Sequence, residues 1–317
     1  MIASSPGSDP GERKAGAVTV APKRRRSHGG APRLVGYVFV APFVIAFVAM
    51  LIVPIGYALY LSLFKYRLIG GETFAGFGNY LQAFADPKLR DGLVRVLLFL
   101  VIQVPIMLAL ALFFALAIDS ARVRGAKIIR LLIFIPYAIP GVVGVLLWGY
   151  LYGPHFGLIT QVFTAAGLAP PNLLSPGNML GSMMNIVVWQ YAGYNMIVLF
   201  SALRAIPSEL YEAAIIDGAG QWRIAWGIKI PAIRPAILLC AIFSAIGAFQ
   251  IFTEPNLMQP LAPTVVNTWY TPSYYAYNTA FAQHNVNYAA TLAFALGLVI
   301  AIMAYIVQFA TSRDAPS

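Results

Sequence analysis

Few side chains in this 317-residue sequence could carry covalent chemistry, and those that could are scattered. His28, His155 and His284 lie far apart and show no metal-ligand spacing, and the single cysteine, Cys240, excludes a disulfide framework or a Cys-rich metal site. No Gly-x-x-x-x-Gly-Lys-Ser/Thr is present, because none of the six lysines follows a glycine and precedes a Ser or Thr. What the residue types do support is recognition without charge. Trp189, Gln190, Tyr191, Tyr194 and Asn195 crowd one apolar stretch, and Ser244 and Gln250, with Phe249 beside them, occupy another. Amides and aromatic faces supply hydrogen bonds and stacking to a neutral, hydroxyl-rich solute without burying charge. On a helix, Tyr191, Tyr194 and Asn195 share a face. Gln103 and Tyr150 are further candidates. Packing between helices is the competing use of the same residues.

A second cluster is mechanical rather than chemical. Ser208-Glu209-Leu210-Tyr211-Glu212 opens a short helix, with Ser208 as its cap and two acids near its positive end. Gly218 supplies the left-handed residue that stops it. A second short helix follows and ends at Pro231, with Trp222 and Trp226 four apart on one face. Leu210, Ile215 and Trp226 then face outward. They suit either a hairpin lying on the bilayer or a knob that fits a groove on a soluble partner.

These residues must be positioned by membrane helices. The sequence is 60% apolar and 10% charged, against about 25% charged in soluble chains. Residues 34–64, 96–118, 131–203, 235–253 and 255–312 contain no Asp, Glu, Lys or Arg. A membrane helix needs about 20 apolar residues, so water-soluble and disordered classes are excluded. Breaks at Gly153-Pro154-His155, Pro170-Pro171-Asn172 and Pro176-Gly177-Asn178 divide the longest run. The pattern predicts six spans, at about 35–63, 93–117, 130–152, 180–203, 233–253 and 288–311. Residues 1–33 read as a disordered basic tail and 313–317 as a short C-terminal tail. No acidic or basic residue falls inside a predicted span, Glu254 and Arg95 lying at span ends; that disfavours a proton-coupled carrier.

The net charge of +10 would suggest nucleic acid in a soluble protein, but its distribution follows the positive-inside bias. With the N-terminus in the cytoplasm, inner segments carry 16 Lys/Arg and outer ones five. Both termini and the 205–231 loop are then cytoplasmic. The largest inner segments are too short for a nucleotide-binding domain, so any ATP hydrolysis belongs to another polypeptide.

Glu212-Ala213-Ala214, Asp217-Gly218-Ala219 and Ile230-Pro231 resemble, in type and spacing, the "EAA" loop of ABC-importer permeases. Phe74-Ala75-Gly76-Phe77-Gly78-Asn79-Tyr80 is similar to an element of the carbohydrate-type permeases, as are Arg130 with Ile135-Pro136 and Trp148, Phe249-Gln250-Ile251-Phe252, and Tyr277-Asn278-Thr279-Ala280-Phe281. The resemblance covers 34–312 and points to the larger, first-type sugar permease. The chain departs from that group at Thr253-Glu254-Pro255, where it lacks the paired glycines of a Thr-Gly-Gly-Pro turn.

The resemblance implies an all-α type I ABC importer permease fold in the bacterial plasma membrane. It also implies a second, different permease subunit, a cytoplasmic ATPase dimer using ATP and Mg, and an extracytoplasmic solute-binding protein. The ATPase would dock on Glu212, Ala213, Ala214, Asp217, Gly218, Ala219 and Pro231. The spans flanking that loop would line the solute path, which favours Tyr191, Tyr194, Gly247 and Gln250, with Ser244 and Trp189 nearby. The chain itself would be no enzyme and hold no cofactor, and its partners would be a small carbohydrate and membrane lipid, not nucleic acid. A permease for a non-sugar solute such as a glycerol phosphate derivative, and a secondary carrier acting alone, are the alternatives.

Overall fold

A computed structural model describes residues 32–67, 70–120 and 125–312. Most of the tail expected over 1–33, together with Arg122, Arg124 and the 313–317 tail, lies outside the described residues. The chain divides into two compact units, Met1–Pro54 and Ile55–Ser317. In the first, α1 (Pro32–Phe47) runs into a π-helical turn at Val48–Ile52. Helix α2 (Val53–Ser62) leads into the second unit. There, β1 (Phe64–Arg67) and β2 (Gly71–Phe74) pair antiparallel with Phe64 opposite Phe74. This is a small departure from an all-α chain.

Helices α3 (Gly78–Ala85), α4 (Pro87–Asp119), α5 (Ala126–Ala138), α6 (Gly141–Leu151), α7 (Leu158–Ala165) and α8 (Met179–Arg204) follow. The loop region holds α9 (Ser208–Ile216), α10 (Gln221–Ile224), a π-helical turn (Ala225–Lys229) and α11 (Ile230–Ala232). Helices α12 (Arg234–Phe249), α13 (Thr253–Met258), α14 (Pro272–Phe281) and α15 (Val286–Ser312) complete the chain.

Four stretches are long and apolar enough to cross a membrane: Tyr37–Ser62, Pro87–Asp119, Met179–Arg204 and Val286–Ile306. Two bent pairs bring the number to six when each pair is counted as one span. The third predicted span, drawn straight over 130–152, is broken between α5 and α6 with a 96° bend. Pro140 explains the break, because the residue before a proline is forced out of the helical region, and Ile139 is extended at φ −77°, ψ 130°. The Gln190 side-chain amide on α8 donates to the freed Ile139 carbonyl at 3.2 Å, as irregular backbone at membrane depth requires. The fifth predicted span, 233–253, is shorter: α12 stops at Phe249, and its other end turns by 65° into the loop helix.

Two clusters fix the ends of the second unit. At one end, Ala111, Ala115 and Ile118 of α4 pack with Met196, Leu199 and Leu203 of α8 and with Ile233 and Cys240. At the other, Asp86 Oδ2 accepts hydrogen bonds from the Tyr275 and Tyr288 hydroxyls, each at 2.8 Å. Near that end Asn79, buried, donates to the carbonyls of Ser62 and Phe64 at 3.0 and 2.8 Å. That gives the Phe-x-Gly-x-x-Asn-Tyr element a physical role: its amide pairs carbonyls left open where α2 turns into the hairpin. Helix α5 approaches α8 at Gly193 so closely that an added Cβ would lie 2.0 Å from the Ile133 carbonyl oxygen. Small residues at such crossings let backbones meet where lipid supplies no hydrophobic drive.

Candidate functional site

The spans line an open cavity of about 410 Å³, inside the roughly 300–1,000 Å³ range of small-molecule sites. Each main wall is one helical stripe. Helix α4 contributes Phe99, Gln103 and Met107; α8 contributes Val187, Tyr191, Tyr194 and Asn195; α12 contributes Phe243, Ser244, Gly247 and Ala248. These spacings of three and four are what brings side chains onto one helix face. The α12–α13 connection closes the wall with Gln250, Ile251, Phe252, Thr253 and Glu254.

Tyr137, at the end of α5 just before the break, completes an aromatic corner. Its ring stacks on Tyr194 with centroids 4.8 Å apart and meets Tyr191 edge-on at 5.8 Å. Such pairs hold rings in fixed relative geometry. The Asn195 amide donates to the Tyr191 carbonyl at 3.1 Å, and the Gln103 amide to the Met107 sulfur at 3.3 Å.

Of the candidates read from the sequence, Tyr191, Tyr194, Ser244, Gly247, Gln250, Gln103 and Asn195 all face this one cavity. Trp189 does not. Its ring meets Trp148 edge-on at 5.7 Å and lies against Gly144, so it packs α8 on α6. Gln190 is spent on the Ile139 carbonyl, and Tyr150 is outside the lining with its ring exposed. Several lining residues were not offered as site candidates from the sequence, Phe99, Tyr137 and Glu254 among them. Phe99 stands four before Gln103, and Tyr137 stands between Pro136 and Pro140. Glu254 is the single charge between Arg234 and Arg313, and an isolated carboxylate in so apolar a stretch is the signal that marks it. Glu254 lies beyond the end of α12, which stops at Phe249, and the turn that follows carries it into the cavity wall.

The 205–231 loop lies at the Lys229–Asp119 end of the unit. Pro207, not Ser208, occupies the cap position of α9, and no side-chain hydrogen bond caps that helix. At its other end Gly218 has φ +77°. The Gly218 amide donates to the Ile215 carbonyl at 3.0 Å and the Ala219 amide to the Ala214 carbonyl at 2.9 Å. This is the paired closure that a left-handed glycine permits. The second helix does not end at Pro231 but runs one residue further, to Ala232, before the bend. Glu212 and Asp217 are exposed. So are Ile216 at 85%, Trp222 at 79% and Trp226 at 66%, an apolar surface left open by the described residues.

Inside the loop, the Lys229 ammonium donates to Asp119 Oδ2 at 2.5 Å, with both side chains buried. The same ammonium lies 5.0 Å from the centre of the Tyr211 ring. Burial, with Asp119 nearby, pushes the Tyr211 hydroxyl above its ordinary value and keeps it neutral. One cation therefore joins the first loop helix, the second, and the end of α4.

The profile of the family described as "binding-protein-dependent transport system inner membrane component" matches residues 37–313. This chain belongs to that family. It is a multi-pass inner-membrane permease subunit of an ABC import system, a transport protein rather than an enzyme. The permease is 31% identical to the lactose transport system permease protein LacF of Rhizobium radiobacter, over 88% of this chain and 94% of that one. It is 30% identical to the diacetylchitobiose uptake system permease protein NgcF of Streptomyces coelicolor, over 82% of this chain and 77% of that one. Its fold matches a chain in the crystal structure of a bacterial ABC transporter that imports the acidic polysaccharide alginate, with TM-score 0.76 and 19% identity over 89% of this chain and 96% of that one. Membership in the family is what sets the permease apart from a proton-coupled carrier.

Proposed function

We propose that this permease passes a carbohydrate through the cavity between α4, α8 and α12, and that a partner ATPase drives it by moving the 205–231 loop. The observation that carries this reading is the joint placement of two features. One is an aromatic and amide-lined cavity of sugar size; the other is an exposed apolar knob tied by buried contacts to the ends of the same helices. The lactose and diacetylchitobiose assignments of the two relatives support a sugar as the solute.

Both termini and the loop face the cytoplasm in this reading. A second permease supplies the opposite wall, an extracytoplasmic binding protein delivers the solute, and ATP with Mg is bound by the ATPase pair. The cycle is alternating access. The ATPase holds the loop differently in its closed and open states, and that difference in contact free energy is what shifts the bundle between outward- and inward-facing forms. Glu212, Asp217 and the turn at Gly218 form the docking element, with Ile216 and Trp222 as its apolar contacts.

Uptake of radiolabelled sugars by cells carrying the whole importer, with and without its ATPase subunit, tests the proposal. Uptake that vanishes with the ATPase supports it. Uptake by this chain reconstituted without any ATPase overturns it in favour of a carrier acting alone.

A further inference from the structure

We infer that Phe252, Tyr277 and Phe281 form an aromatic ladder along which pyranose rings reach the cavity from the end of the bundle opposite the 205–231 loop. The inference rests on the pathway reading above and adds to it a route of entry and a solute class, ring sugars rather than open-chain polyols.

The ladder forms where two sequence elements meet. Phe249-Gln250-Ile251-Phe252 closes α12 and turns toward α13, and Tyr277-Asn278-Thr279-Ala280-Phe281 is the second half of α14. Two bonds fasten the start of α14 to that turn. The Thr271 hydroxyl, at the cap of α14, donates to the Ile251 carbonyl at 3.0 Å, and the Ser273 hydroxyl donates to the Phe249 carbonyl at 3.2 Å. Tyr277 and Phe281, four apart, then share one side of the helix. The Phe252 ring, which lines the cavity, lies 5.0 Å from the Tyr277 ring, and Tyr277 lies 4.9 Å from Phe281, centroid to centroid. The cavity wall thus continues in aromatic steps along α14 to its last residue.

The hydrogen bonds of α14 also give the ladder its direction. Tyr275 bonds Asp86, which caps the start of α4, whereas Lys229 of the loop bonds Asp119 at the end of α4. The 33 residues of α4 separate the two, about 50 Å of helix at 1.5 Å per residue. The ladder therefore stands at the far end from the loop, where the solute is delivered in the reading above.

Packing does not account for the outer rungs. Tyr274, on the inner side of α14, is 5% exposed and belongs to the core against which Phe252 packs. Tyr277 is 43% exposed and Phe281 67%, so their rings add little buried area to the fold. A cover of lipid does not explain them either, because the ladder starts at Phe252 in a cavity lined by Gln103, Asn195 and Gln250. A pyranose carries C–H bonds on its faces and hydroxyls around its rim. Its C–H face rests on an aromatic ring through apolar and dispersion contact while the hydroxyls stay in water. Rungs this close let a sugar ring touch the next before it leaves the last. An open-chain polyol has no such face.

Initial uptake by the complete importer at limiting solute tests the inference. Radiolabelled mono- and disaccharides of glucose, galactose and N-acetylglucosamine serve as ring probes, and glucitol as the open-chain probe. Phe281→Ala and Tyr277→Ala should each slow uptake of a ring probe about fivefold, the scale of one aromatic contact. Phe281→Tyr and Tyr277→Phe, which keep a ring, should stay near the parent rate. Phe281→Leu decides between uses of the side chain: it keeps the apolar bulk that packing on lipid or on the second permease needs, and offers no ring face. Uptake by Phe281→Leu as slow as by Phe281→Ala supports the ladder; recovery to the parent rate assigns Phe281 to apolar packing and overturns it. ATP-dependent uptake of glucitol and of no ring probe also overturns the inference, while the pathway stands. Uptake of ring probes that persists without the ATPase sinks the pathway reading itself.

Discussion

The Lys229 ammonium and the Asp119 carboxylate, 110 residues apart, pair in a buried setting where the second loop helix meets the end of α4. A carboxylate at a helix C-terminus opposes the helix dipole, and Lys229 compensates it. Removing one member of a buried pair leaves an uncompensated charge, at a cost of about 3–5 kcal/mol. Asp119→Asn and Lys229→Met are each expected to lower the thermal stability of the detergent-solubilised importer and to depress solute-stimulated ATP turnover. The double variant Asp119→Leu with Lys229→Met should recover most of the stability, because a neutral pair leaves no orphan. Recovery of stability without recovery of coupled turnover would assign the pair a transmitting role. Two singles and a double that all behave like the parent would remove the pair from both accounts.

The exposed knob separates docking from folding. Ile216 and Trp222 are 85% and 79% exposed, so Ile216→Ser and Trp222→Ser should change the stability of the isolated subunit by no more than about 0.5 kcal/mol. As buried apolar anchors in an interface they should each weaken ATPase association by roughly 2 kcal/mol. Co-purification of the ATPase with the permease reads this out. If the variants instead leave ATPase binding intact and weaken partition of the loop into lipid vesicles, the loop lies on the bilayer.

Gly218 tests the turn itself. At φ +77° a side chain costs about 1–2 kcal/mol, and Gly218→Pro additionally removes the amide that bonds to Ile215. The permease should still insert, since the turn lies outside every span, but coupled ATP turnover should fall and transport with it. Glu212→Lys, which reverses a charge on the exposed face of α9, should act in the same direction. Normal solute-stimulated turnover in both would count against the loop as the transmission element.

What was legible in the sequence follows the range of the interactions involved. The α9–Gly218 turn needs only local information, a glycine at a helix end and hydrogen bonds spanning a few residues, so its shape could be read directly. The stripe Tyr191, Tyr194, Asn195 is equally local. Which stripe faces the cavity is not local: Trp189 and Tyr191 are two positions apart, and only the placement of α6 sends one to Trp148 and the other inward. From the sequence Pro140 reads as tolerated within one span over 130–152, because the 96° turn there also depends on Gln190 pairing the Ile139 carbonyl from another helix. That Glu254 faces the cavity is equally a matter of tertiary placement. Hydropathy extends the fifth span through residue 253, whereas the backbone closes α12 at Phe249.

That break has a consequence for stability. Gly193→Ala places a methyl group 2.0 Å from the Ile133 carbonyl oxygen, a clash that cannot be relieved by a side-chain rotation because both groups belong to packed backbone. Overpacking of this kind costs about 1–3 kcal/mol or more. Gln190→Leu leaves the Ile139 carbonyl unpaired, at about 1–3 kcal/mol. Both variants should lower the unfolding temperature of the purified importer, and Gly193→Ala should also distort the Tyr137–Tyr194 stack, since it pushes α5 away from α8. Unchanged stability in Gly193→Ala would mean that the two helices do not cross at this point.

Tyr194 and Trp189 lie on the same span, yet they should fail in different ways. Tyr194 stacks on Tyr137 and lines the cavity, while Trp189 fills the gap between α8 and α6. Tyr194→Ala removes a ring face from the solute path; losing the contact area of a large side chain costs about 1.5–3 kcal/mol. It should therefore reduce transport by about tenfold or more at limiting solute while the basal ATP turnover of the importer persists. Trp189→Phe keeps an aromatic body against Trp148 and Gly144 and should leave solute dependence unchanged, with a stability loss of about 1 kcal/mol from the smaller ring. Initial uptake rates across solute concentrations, measured beside thermal unfolding of the same preparations, distinguish the two. A Trp189→Phe variant that shifts the concentration dependence as Tyr194→Ala does would put the solute against α6, and the cavity between α4, α8 and α12 would no longer be the path.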